Sequence, residues 1–117
     1  MPTIRDVVRG LSQRQGVLAV IVLGRDGLTI DAVSSVQLDT EGLAALVPSI
    51  IQTSGSVGEV SGQGEFVGAS FEFGNGMMLV FGITPETLLA IFVDANTNVG
   101  DLLYELKLHQ PAIAGLL

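Results

Sequence analysis

Leu38 to Gly62 reads LDTEGLAALVPSIIQTSGSVGEVSG, one long helical pattern set among short strand-like runs. Asp39 is placed to cap it. Leu43, Val47, Ile50, Ser54 and Val57 recur at three- and four-residue steps, the spacing of a helix face that rests on a core. Ala44, Pro48, Ile51, Gly55, Gly58 and Gly62 repeat those steps on the adjacent face, and most of them are small. One apolar face suffices to seat a helix on a sheet, so the second stripe is expected to meet a partner. Pro48 removes one hydrogen bond and crowds the carbonyl four residues earlier, which predicts a kink near Ala44 and Ala45. A helix starting near Val47 with Pro48 in its first turn is the competing reading. The kinked helix is preferred because Leu43 and Val47 continue the stripe. Gly55, Gly58 and Gly62 each cost about 1 kcal/mol relative to alanine, so the helix is expected to fray or stop before Gly58.

Upstream, Thr3 is a fitting N-cap and Asp6 lies in the first turn of a short helix whose stripe is Ile4, Val7, Val8 and Leu11. Arg5, Arg9 and Gln13 face away from that stripe, and Gly16 stands where a left-handed residue ends the helix. Val17 to Leu23 is apolar on both faces, as a central strand is. Asp26-Gly27 signals a hairpin into a second strand, where Leu28, Ile30 and Ala32 alternate with Thr29, Asp31 and Val33.

Downstream, Glu65 to Gly74 alternates, with Val67, Ala69, Phe71 and Phe73 on one side and Phe66, Gly68, Ser70 and Glu72 on the other. Asn75-Gly76 predicts a tight turn into the apolar strand Met77 to Ile83. Thr84 to Thr87 turns the chain again, and Leu88 to Val93 is apolar on both faces, hence central. Asn96 or Asn98 caps a last helix whose stripe is Val99, Leu102, Leu103, Leu106 and Ile113, and Pro111 is expected to bend or end it. The order helix, two strands, helix, three strands, helix makes this an α+β fold in a single domain over residues 1–117.

Hydrophobic residues make up 48% of the 117 positions and charged residues only 15%, against roughly 25% in an average soluble domain. So little charge on so short a chain predicts exposed apolar surface and an oligomer. The net charge of −7, from 12 acidic and 5 basic residues, argues against nucleic acid and against an electrostatic hold on anionic lipid. Met1 to Arg14 carries charges throughout, and no apolar run approaches a membrane span, so a cytoplasmic protein without direct membrane insertion is expected.

Catalytic chemistry lacks its parts. Cysteine is absent and His109 is the sole histidine, which leaves no zinc constellation and a solvated role for that side chain. The carboxylates are scattered, and the serines have no base within a motif. Asp94, Asn96 and Asn98 lack the ligand series of a calcium loop and read as a turn and a cap. Gly55-Ser-Val-Gly58 and Gly62-Gln-Gly64 resemble pieces of phosphate loops, yet they end a helix where such loops begin one. No catalytic residue, metal or cofactor is expected.

Three motifs in this order resemble the roadblock/LC7 family of small dimeric domains. They are GVLAVIVLGRDGLTIDA from Gly16 to Ala32, the long helix with small residues after it, and LLAIFVDANTNVG from Leu88 to Gly100. The resemblance implies a five-stranded antiparallel sheet of order 2-1-5-4-3, the middle helix on one face, the first and last helices on the other. It also implies a homodimer through the middle helix and third strand. Here that places Ala44, Ile51, Gly55, Gly58, Phe66, Gly68, Ser70 and Phe71 at the dimer interface. Bacterial and archaeal members are often partners or regulators of small Ras-like GTPases, which puts the partner surface on Glu41, Ala45, Ser49, Gln52, Thr53, Ser56 and Glu59. A scaffold adaptor, indifferent to nucleotide, is the alternative.

Overall fold

The sequence supplies each helix with its start. A computed structural model describes residues 2–117 and opens on α1, Ile4–Ser12. Thr3 Oγ1 accepts from the Asp6 N–H at 3.2 Å while Asp6 Oδ2 accepts from the Thr3 N–H at 2.8 Å, a reciprocal capping box. Gly16, at φ +86°, turns the chain into β1, Val17–Gly24. At that φ any side chain is strained, and a methyl group on Gly16 would also press on Thr97 Oγ1, 1.9 Å away.

β2 spans Thr29–Ser34, α2 Thr40–Val60, β3 Gly68–Phe73, β4 Gly76–Thr84, β5 Thr87–Asp94 and α3 Val99–Ala114. The strands form one antiparallel sheet in the order β2-β1-β5-β4-β3, as the resemblance implies. Period-two alternation divides the buried strands between two cores. Val20, Val22, Leu79, Leu89 and Ile91 meet Val8 and Leu11 of α1 and Leu102, Leu106 and Ile113 of α3. Ile21, Leu23, Met78, Val80, Leu88 and Ala90 meet Ala44, Val47 and Ile51 of α2. The middle helix thus has one face of the sheet to itself.

Four local expectations change. First, α2 is one helix through Pro48, as preferred, but it runs on past the glycines to Val60 instead of stopping before Gly58. Pro48 has no N–H to give the Ala44 carbonyl, and the β1–β2 turn packs at that point: a methyl on Gly27 would lie 3.6 Å from that oxygen. Tertiary packing outweighs the local preferences. Second, the expected core stripe of α2 holds at Leu43 and Val47 but not beyond them. Ala44, Val47 and Ile51 face the sheet, whereas Ile50 and Val57, read as core, are exposed. Gly58 admits the loop that follows the helix, where a methyl would come within 2.2 Å of the Gly64 carbonyl oxygen. Third, β3 begins at Gly68, with Phe66 packed against the α2 core from the preceding loop, and its turn is Gly74-Asn75. Fourth, α3 passes through Pro111 without ending there. Gln110 Nε2 donates to the Ile83 carbonyl at 2.6 Å and Ile113 is buried, so contacts with the sheet hold the last turn in place.

Candidate functional site: the outer face of the middle helix and the free edge of strand three

Seating α2 on the Ala44, Val47 and Ile51 stripe leaves two flanks turned outward. At 100° per residue, Leu46, Ile50, Thr53, Val57 and Val60 line up on one of them. Four of these are large and apolar, with exposures of 65% for Leu46, 40% for Ile50, 62% for Val57 and 89% for Val60. Apolar residues at 46, 50, 57 and 60, with Thr53 filling the remaining step, follow the alternating four–three spacing of seams by which helices pair. Sequence reading missed this flank because it assigned Ile50 and Val57 to the core. The spacing was visible, but the side facing the sheet was not.

The second flank carries Glu41, Ala45, Ser49, Gln52, Ser56 and Glu59. These six, with Thr53 from the apolar flank, are all exposed, so the whole expected partner surface is open. Several hydroxyls are tied to the helix backbone: Thr53 Oγ1 donates to the Ser49 carbonyl at 3.1 Å and Ser56 Oγ to the Gln52 carbonyl at 3.3 Å. Its polar chemistry toward a partner therefore rests mainly on Glu41, Gln52 and Glu59.

The residues expected at a dimer interface divide. Ala44 and Ile51 pack against the chain's own sheet and leave no side chain for a second copy, which corrects that part of the expectation. Gly55 and Gly58 are half-buried, on the side of α2 turned toward the sheet. Phe66 lies in the loop ahead of β3, not on the edge. Gly68, Ser70 and Phe71 do lie on β3, which pairs only with β4 among the described strands. Phe71 stands opposite Met78 on the α2 face, half-buried, and Phe73 on the same face is exposed. Gly68 and Ser70 stand opposite Phe81 and Leu79 on the other face. The ring of Phe81 lies over Gly68, where a methyl group would be 2.9 Å from it.

An open cavity of about 720 Å³ adjoins the polar flank, lined among others by Arg25, Gly55, Glu59, Glu65, Phe66 and Thr84. Thr84 Oγ1 there bonds to Thr87 Oγ1 and accepts from the Glu86 N–H, and it is not bonded to either lining carboxylate. Among the described residues no cluster of three or more metal-ligating side chains exists, and no helix is long and apolar enough to cross a membrane. Asp94 Oδ1 accepts from the Asn96 N–H and from Thr97 Oγ1, a turn closed on itself, and Asn98 caps α3. His109 is exposed. Of the N-terminal arginines, Arg5 and Arg14 pair with Asp31 and Glu105, which leaves little of a free basic patch.

The Roadblock/LC7 domain family model matches residues 3–92. This chain belongs to the Roadblock/LC7 family. Its fold is that of solved Roadblock/LC7 and MglB structures. Myxococcus xanthus MglB superposes with a TM-score of 0.87 at 19% identity, over 97% of this chain and 93% of that one. An MglB described as having a tetrameric arrangement gives 0.87 at 16% identity, over 97% and 86%. A Roadblock/LC7 domain from Streptomyces avermitilis gives 0.85 at 19% identity, over 97% of each chain. No curated protein matches this sequence.

Proposed function

We propose that this Roadblock/LC7 chain is a non-catalytic homodimer that binds and regulates a small Ras-like GTPase. The observation that carries the reading is the outer surface of α2, which is split into an apolar seam and an open polar flank. In this reading Leu46, Ile50, Val57 and Val60 meet their own copies while β3 pairs with its own copy across the two-fold axis. Pairing would join two sheets into one and cover Phe71 and Phe73 on an otherwise open edge. Self-association of an MglB-type fold is supported by the tetrameric relative. Glu41, Ala45, Ser49, Gln52, Thr53, Ser56 and Glu59 then form the surface offered to the GTPase. Stimulation of hydrolysis would act by ordering the partner's own switch segments, since neither flank of α2 carries an arginine to insert.

The test is co-elution with a small Ras-like GTPase encoded beside this protein, loaded with GDP or a GTP analogue, alongside hydrolysis rates with and without the chain. Nucleotide-dependent binding that is lost on substituting Gln52 and Glu59 supports the reading. Binding that ignores the nucleotide favours a scaffold adaptor, and absence of binding in both states overturns GTPase partnership.

A further inference from the structure

β2 is the edge of the sheet opposite β3, and it pairs only with β1. Val22 stands opposite Asp31 and Leu23 opposite Thr29, so Ile30 is the extra residue of a bulge without a cross-strand partner. Leu28 and Ile30 are exposed on or beside this edge, as is Val36 just beyond it. An apolar edge with free backbone groups is a template for another strand. Because an antiparallel edge is self-complementary under a two-fold axis, the strand it fits is the same edge of a second copy.

The backbone of that edge is nevertheless occupied at its centre. The Ser35 N–H donates to the Leu18 carbonyl at 2.9 Å, and since inward and outward positions alternate, Ala32 turns its N–H and C=O away from β1. The Ala32 N–H donates to Asp31 Oδ1 at 2.9 Å. The Ala32 carbonyl accepts from Arg5 Nη1 at 3.3 Å. Arg5 Nη1 also binds Asp31 Oδ1 at 2.5 Å, which ties α1 to the strand. Asp31 Oδ2 is buried with no partner, so the carboxylate is held through Oδ1 alone.

We propose that the Arg5–Asp31 pair is a guard on the β2 edge. It engages both outward-facing backbone groups of Ala32 and keeps the edge from pairing with the β2 edge of a second copy. Without it, association at β2 added to association at β3 would propagate as an open chain with no closure. The guard leaves one edge of the sheet for assembly.

Sedimentation velocity over a concentration series tests this with the full chain, and circular dichroism checks the fold. Arg5→Gln and Asp31→Ala should each shift the parent species to larger ones that grow with concentration, whatever the parent's own state. Arg5→Lys should sediment as the parent. Adding Ile30→Lys to Arg5→Gln should restore the parent species, because like charges on an edge repel its copy. Both variants remove the tie between α1 and β2, so the Ile30→Lys combination decides: it restores the parent species only if the larger ones form through the β2 edge. The guard is refuted if the folded variants sediment as the parent at every concentration, or if the larger species persist with Ile30→Lys in place.

Discussion

Val57→Asp separates the apolar seam of α2 from its sheet-facing stripe. Val57 is 62% exposed in a single chain. Burying a whole valine is worth about 1.5–3 kcal/mol, so covering the remaining surface contributes about 1–2 kcal/mol per copy. A two-fold interface counts the residue twice, which makes about 2–4 kcal/mol per dimer. At about 1.4 kcal/mol per decade, Val57→Asp should weaken the proposed dimer by roughly 30- to 700-fold, before the added cost of confining two carboxylates. The monomer should keep its stability to within about 0.5 kcal/mol, as expected of an exposed position. Ile51→Ala is the contrast. Ile51 is 1% exposed and packed among Leu23, Val80 and Leu88, so its truncation should cost about 2–5 kcal/mol of folding stability. Light scattering over a dilution series reads the dimer, and urea denaturation reads the fold. The reasoning fails if Val57→Asp associates with the parent's constant, or if Ile51→Ala yields monomers at unchanged stability.

Other substitutions test how α2 is seated and how α1 is started. Gly55→Ala meets nothing within 4 Å and should stabilise the chain by about 0.5–1 kcal/mol through helix propensity, seen as a higher urea midpoint. Gly58→Ala should lower that midpoint, because its methyl would press on the Gly64 carbonyl oxygen, a backbone atom that can yield only if the α2–β3 loop moves. Thr3→Ala removes half of the capping box and should cost about 1 kcal/mol in the same assay.

The order of elements was legible because it rests on local signals. The two-sided apolar runs Val17–Leu23 and Leu88–Val93 marked strands of the sheet interior, and β1 and β5 occupy those places. Thr3 and Asn98 announced their helix starts because capping depends on a few neighbouring atoms, whereas α1 ends at Ser12 with Gln13 as its cap, and the left-handed Gly16 turns the chain into β1 instead of ending the helix. The periodic stripe rightly carried α2 through Pro48. The same local logic erred at Gly58, where the helix was expected to stop, and Pro111 does not end α3: long-range packing holds turns that propensity alone would break. Two stripes at the same helical step, one through Ile51 and one through Ile50, differ by a rotation that periodicity does not resolve. Only the packing of α2 on the sheet decided that Ala44 and Ile51 are core and that Ile50 and Val57 are offered outward. The Arg5–Asp31 contact lies further still from sequence reading. It joins residues 26 positions apart whose meeting depends on how α1 lies across β2, a relation that no spacing along the chain records.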